Sequence, residues 1–261
     1  MNSEGTVAEP LVVAFADAGY LPLLRLWVRR VRALGVSRLR IYALDAATLD
    51  WCRSQDVEVA ALAWSGRLAD LWVQRIGVFS ELLAGGQGFI HSDIDAIWLR
   101  HPLREGAAVG CTEDLVFTQG TVWPPDVHRQ WGFVLCCGWF WAKPTPAAQR
   151  FFAALEGDVR YTGDDQISVN RVLAGAGAHW EAGPHGDYQL PFRDQQVQCW
   201  TKTIRARTAA PGFSPALSIA LLPHREFQRL PEPWGPAIVK HLLTPKNCAQ
   251  KLELLGSMGL L

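Results

Sequence analysis

The chain has 261 residues, nearly half of them hydrophobic, which is enough for one large α/β domain with a full core. Its 25 basic and 25 acidic residues cancel, arguing against a nucleic-acid partner held on a broad basic surface. No stretch reaches the roughly 18–20 apolar residues of a transmembrane helix, and residues 1–10 lack the basic and apolar regions of a secretory leader.

The elements follow in chain order. Leu11–Ala16 is a continuous apolar run, as in a strand covered on both faces. Leu24, Trp27, Val28, Val31 and Leu34 recur at helical spacing, with Gly35 as the stop. Leu39–Leu44 reads as a second strand ending at Asp45, a short helix follows, and Val57–Leu62 is a third strand. Leu68, Leu71, Trp72, Ile76, Phe79, Leu82 and Leu83 mark a longer helix stopped by Gly85-Gly86. Phe89–His91 is the next strand and runs into Asp93 and Asp95. This alternation predicts an α/β fold with a mostly parallel central sheet, helices on both faces, and ligands beyond the carboxyl ends of the strands.

The second half is less regular. Leu115–Thr118, Phe133–Ala142 and Leu217–Leu222 read as strands. Pro146–Leu155 and Asp165–Ala174 read as helices, the latter capped near Thr162 or Asp164. Gly175–Pro215, rich in Gly, Pro and polar residues, reads mostly as loop. None of the six cysteines forms a Cys-x-x-Cys pair, so a zinc cage is not expected, and Cys136 and Cys137 read as buried thiols. A reducing, cytoplasmic location is expected.

The sharpest feature is Asp93-Ile94-Asp95 after an apolar strand. In a straight strand the two carboxylates would point the same way about 7 Å apart. A metal needs oxygens at roughly 2.1 Å, so the chain must turn for both to converge. Left alone, two close carboxylates repel and one tends to protonate; a divalent cation removes the conflict. The bland alternative is one Asp capping a turn and the other exposed. His241, after Ala237-Ile238-Val239, offers an imidazole as a third ligand, or else sits against a backbone carbonyl. Lys246 and Lys251 could neutralise a diphosphate or lie on the surface. Arg75 shares a helix with apolar Leu71, Trp72 and Ile76, so it either finds a buried anion or snorkels at the helix edge.

Thr162-Gly163-Asp164-Asp165-Gln166 reads either as a carboxylate group facing a sugar or as an ordinary acidic cap, and spacing favours the cap. Asp17 and Tyr20 follow the first strand, where a base and ribose sit in a doubly wound sheet. There is no Gly-x-Gly-x-x-Gly and no P-loop pattern.

Together these residues resemble the nucleotide-diphospho-sugar transferase family, which includes plant cell-wall xylosyl- and arabinosyltransferases and is related to bacterial retaining galactosyltransferases and glycogenins. The resemblance rests on Asp93-Ile94-Asp95 followed by Trp98-Leu99-Arg100-His101-Pro102, and on Arg75 in the preceding helix. It continues in Cys136-Cys137-Gly138-Trp139-Phe140 with Pro144-Thr145, and in Asp165-Gln166 with Asn170. It ends in Leu222-Pro223 with Phe227, then His241, Lys251 and Gly259-Leu260.

What the resemblance implies is a GT-A (Rossmann-like) fold and a metal-dependent, retaining glycosyltransferase that uses a UDP-sugar donor. It implies manganese or magnesium held by Asp93, Asp95 and His241, the nucleobase at Asp17 and Tyr20, and the diphosphate at Asp93 with Lys246 or Lys251. Asp165, Gln166 and Arg75 become the catalytic candidates at the transferred sugar. With no repeat or linker, residues 1–261 read as one domain, its nucleotide-binding half over about 11–105 and its acceptor half over about 106–261. The acceptor, whether glycan, protein, lipid or small molecule, stays open.

The sequence departs from the family at Cys136, where Asn is usual, at Leu242-Leu243, where Asn often follows the His, and at Asn247, where Gly is expected before the Lys. A catalytically inactive nucleotide-sugar-binding module and a haloacid-dehalogenase-like phosphatase are the rival readings. The phosphatase would want Thr or Val close behind its Asp-x-Asp, and Ala96-Ile97 stand there instead.

Overall fold

The computed structural model describes residues 9–230, 232, 237–244 and 247–261. Strands β1 (Leu11–Ala16), β2 (Leu39–Ala43) and β3 (Glu58–Ala61) alternate with helices α1 (Leu21–Ala33), α2 (Ala46–Ser54) and α3 (Leu68–Ala84). Then come β4 (Phe89–Ser92), β5 (Ala96–Trp98), β6 (Leu115–Gln119), α4 (Pro125–Trp131) and β7 (Leu135–Ala142). Helices α5 (Pro146–Thr162) and α6 (Asp165–Gly175) precede β8 (His179–Trp180), β9 (Tyr188–Phe192), β10 (Gln195–Cys199) and β11 (Ile204–Arg207). The chain closes with β12 (Ser218–Leu221), β13 (Phe227–Gln228), β14 (Val239–His241) and α7 (Cys248–Ser257).

The central sheet has nine strands in the order β3-β2-β1-β4-β7-β6-β12-β11-β8. All but β7 and β11 run in one direction. The carboxyl ends of β1, β2, β4, β6 and β12 therefore share one edge, together with the start of β7. A hairpin of β9 and β10 and a small sheet β13-β14-β5 stand beside it.

Strand periodicity divides the core. Leu11 and Val13 of β1 face one apolar layer with Phe79 of α3, Phe151 of α5 and Leu173 of α6. Val12, Ala14 and Ala16 face the other, with Trp27 of α1, Cys52 of α2 and Leu255 of α7. Helices thus cover both faces, as strands apolar on every residue require.

The stretch Gly175–Pro215, expected as mostly loop, carries β8, β9, β10 and β11. Its strands are two to five residues long and mix exposed with partly or fully buried positions, so no long apolar run marks them. Helix α5 runs to Thr162, beyond the expected Leu155, and stops where Gly163 adopts φ +66°. Asp164 caps α6 by accepting from Ile167 N at 2.8 Å, the role that spacing favoured for this acidic stretch. All six cysteines are free thiols. Among the described residues no helix is long and apolar enough to cross a membrane.

Candidate metal and donor site

The Asp-Ile-Asp segment sits where β4 leaves the sheet, and the chain turns there as two converging carboxylates demand. Ala96 N donates to Asp93 O at 2.9 Å, closing the turn, and β5 follows at once. Two buried indoles pin the turn: Trp98 Nε1 donates to Ser92 Oγ at 3.1 Å and Trp27 Nε1 to Ala96 O at 3.1 Å. On the β7 side Asp93 N donates to Gly138 O at 2.7 Å.

His241 reaches the turn through pairing that sequence reasoning does not foresee. Strand β14 runs antiparallel to β5 with His241 opposite Ala96, and Leu242 N donates to Asp95 O at 3.0 Å. His241 Nε2 lies 3.1 Å from Asp95 Oδ1 and 3.6 Å from Asp93 Oδ2. One ligand atom each from Asp93, Asp95 and His241 falls within 4.8 Å of the others. Gly138 makes this approach possible. A Cβ there would lie 1.9 Å from His241 Cε1 and 2.8 Å from Asp93 Oδ2. Two hard carboxylates and an imidazole are a fitting donor set for manganese or magnesium.

Cations surround the carboxylates. Lys251, buried in α7, contacts Asp95 Oδ2 and donates to Leu242 O at 3.4 Å. Arg75 is fully inside the protein, which settles its alternatives against the snorkelling one. It donates to Asp93 Oδ1 at 3.1 Å and to Asp165 Oδ2, and its guanidinium stacks 4.4 Å from the Trp72 ring. Burial disfavours a charged Asp93, but the hydrogen bond from His91 and the charge of Arg75 outweigh it and hold the carboxyl at about 2. Asp95 is likewise held down, against its burial, by His241 and Lys251. Asp165 moves the other way: burial raises it more than Arg75 lowers it.

The candidates divide by position. Asp17, Tyr20, Arg75, Asp93 and Asp95 line one cleft of about 220 Å³ with Trp64 and Trp72. Asp17 also accepts from Tyr20 N at 3.0 Å, fixing the turn that presents the phenol. His241 and Lys251 close the cluster from the C-terminal side. Asp165 is buried behind Arg75. Gln166 turns elsewhere: its Nε2 donates to Trp123 O at 2.8 Å. Lys246 lies outside the described residues.

Besides Trp64 in the cleft, three neighbours of the cluster have site contacts that sequence reasoning does not assign. Trp72 precedes Arg75 by three residues, and that helical spacing alone puts both on one face. His91 lies under Asp93, its Nε2 3.1 Å from the carboxylate, and burial together with Arg75 lowers it to about 4. Cys136, which stands where the family has Asn, puts its Sγ 3.5 Å from His241 Nδ1.

The profile of the nucleotide-diphospho-sugar transferase family matches residues 34–235. A search of curated protein sequences found no match. Among solved structures, the galactosyltransferase LgtC, determined with donor and acceptor sugar analogs, superposes with a TM-score of 0.52 at 12% identity, over 96% of this chain and 99% of that one. A glycosyltransferase involved in glycosylating the major capsid of PBCV-1 gives a TM-score of 0.47 at 9% identity, over 94% and 100% of the two chains. The fold is thus of the GT-A kind, and the chain belongs to the nucleotide-diphospho-sugar transferase family as a glycosyltransferase.

Proposed function

We propose that this glycosyltransferase moves a sugar from a UDP-sugar, requires manganese or magnesium, and retains the anomeric configuration. The observation that carries the reading is the convergence of Asp93, Asp95 and His241 at the end of the cleft that holds Asp17 and Tyr20. Those three side chains would hold the cation, which when bound offsets negative charge on a departing diphosphate.

The chain's own groups supply the rest. Tyr20 offers a ring face to the base and Asp17 an acceptor to its edge. Lys251 adds a positive charge beside Asp95, where leaving-group charge would grow in a low-dielectric site. Arg75 fixes Asp93 and Asp165 together, so the carboxylates need little reorganisation. Retention by double displacement would need a free carboxylate at the anomeric carbon, as in retaining glycosidases. Asp165, the carboxylate among the catalytic candidates, would have to serve, and it is 5% exposed with its oxygen engaged by Arg75. The arrangement therefore favours same-face attack, with the leaving phosphate taking the acceptor's proton.

The test is a screen of nucleoside-diphosphate sugars for nucleotide release, with added manganese and with EDTA. Release from UDP-sugars with manganese alone supports the reading. Full release in EDTA removes the metal, and UDP binding without turnover on any donor points to an inactive binding module.

A further inference from the structure

Between Asp17 and Asp45 the chain carries six arginines and no acidic residue, an imbalance that the neutral total conceals. Three of the six have local partners. Arg30 donates to Trp98 O at 3.4 Å and to Leu260 O at 3.0 Å, tying α1 to the end of the chain. Arg38 donates to Glu9 O and Gln87 Oε1, and Arg40 pairs with Glu58. The other three, Arg25, Arg29 and Arg32, stand at i, i+4 and i+7 along α1, which puts them on one face of the helix, and all are exposed.

Those three line a groove of about 460 Å³ between α1 and α2, together with Val28, Trp51 and Gln55. No acidic side chain lines it. Among the described residues none of the three has a carboxylate partner, whereas Arg53 on α2 has Asp50. Two of the guanidinium groups are held in place without being neutralised. Arg32 donates to Gln55 O at 2.9 Å and to Asp56 O at 2.6 Å, both neutral carbonyls just past α2. The Arg25 guanidinium lies 5.8 Å from the centre of the Trp51 ring, within cation–π reach.

A solvated helix face explains only part of this. Basic residues in the last turn complement the helix dipole, which covers Arg32. Arg25 and Arg29 lie in the helix interior, where like charges at i, i+4 are mildly destabilising. An anion seated between them turns that repulsion into attraction. A phosphoryl group brings close to two negative charges and three acceptor oxygens, and the planar guanidinium fork meets it with paired hydrogen bonds. The helix rises about 10 Å from Arg25 to Arg32, so the row suits several linked phosphoryl groups better than one. A bilayer surface is broad and flat, whereas these arginines line a groove with the volume of a small-ligand site. Its lining shares no residue with the donor cleft. We propose that the α1–α2 groove is a second anion site, and that its ligand is a soluble oligophosphate. The site stands independently of the UDP-sugar reading.

Calorimetry with inorganic pyrophosphate and tripolyphosphate compares the wild type with Arg25→Gln and Arg29→Gln. The buffer is freed of divalent metal, which keeps the Asp93–Asp95–His241 cluster out of play. Both positions are exposed and glutamine is a good helix former, so the variants are expected to fold, and urea curves check it. Tripolyphosphate is expected to bind the wild type more tightly than pyrophosphate, and each substitution to weaken it about tenfold, the scale of one charged hydrogen bond. UDP with manganese is expected to bind all three proteins alike. No binding by the wild type, or equal binding by the variants, overturns the site. A parallel loss of UDP binding overturns its separation from the donor cleft. Sedimentation with phosphatidylcholine vesicles, with and without phosphatidylglycerol, is the last arm. Capture by the anionic vesicles, lost in Arg29→Gln, with tripolyphosphate unbound, would give the arginines to a bilayer and overturn the soluble ligand.

Discussion

Lys251 of the terminal helix reaches the carboxylate of Asp95, 156 residues earlier in the chain, and both side chains lie inside the protein or nearly so. The contact places a positive charge where a divalent cation would also bring one. Removing one partner of a buried pair leaves an uncompensated charge and costs about 3 kcal/mol or more. Lys251→Met is therefore expected to lower the urea midpoint, and added manganese to recover more stability in the variant than in the wild type. Superimposable urea curves without metal would show that the pair contributes nothing.

Arg75 serves two carboxylates from one planar fork, Asp93 and Asp165. A lysine has a single point charge and cannot span both. Arg75→Lys should then destabilise almost as strongly as Arg75→Met, by about 3–5 kcal/mol in urea unfolding. Wild-type stability in Arg75→Lys would mean that one of the two contacts suffices.

Much of this was legible in the sequence because local rules point one way there. The apolar run of β4 ending in Asp-x-Asp announces a strand end, while Arg75 in an apolar helix leaves a buried anion partner and a snorkelling edge position both open, and only its burial decides between them. The pairing of β14 with β5 was not legible, since a three-residue strand has no periodicity and its partner is about 140 positions away. The need for a glycine at 138 was invisible for the same reason: the two nearest atoms that would clash belong to His241, more than 100 positions away. The strands within Gly175–Pro215 were missed because their turn-rich composition hides short, half-exposed alternation. The direction of Gln166 is a tertiary fact that its motif cannot supply.

Tyr20 and Trp64 share the cleft with Asp93 and Asp95, so the sequence choice of Tyr20 as base platform can be tested against a neighbour it overlooked. Base–aromatic stacking is worth about 1–3 kcal/mol. Calorimetry is expected to show UDP binding weakened by that amount in Tyr20→Ala, with Trp64→Ala measured alongside. Unchanged affinity in Tyr20→Ala with a loss in Trp64→Ala would move the base to Trp64.

The closest geometric demand falls on Gly138. An alanine methyl there would lie 1.9 Å from His241 Cε1, 2.6 Å from His241 Nδ1 and 2.8 Å from Asp93 Oδ2. The backbone at 138 is outside the left-handed region, so alanine suits the strand itself, and the three nearest atoms its methyl would meet all belong to the two proposed ligands. His241 must then swing away, because Asp93 is held from behind by Arg75 and His91. Gly138→Ala is expected to fold, with an overpacking cost of about 1–3 kcal/mol. Its manganese affinity is expected to fall by about 10–100-fold, the range for disturbing groups that orient metal ligands. Gly157→Ala is the control: it lies within α5, nothing stands within 4 Å of its Cβ position, and it should leave metal binding untouched. Titration of manganese followed by the electron paramagnetic resonance of the free ion reads both variants. Wild-type affinity in Gly138→Ala would show that His241 is not needed to hold the cation.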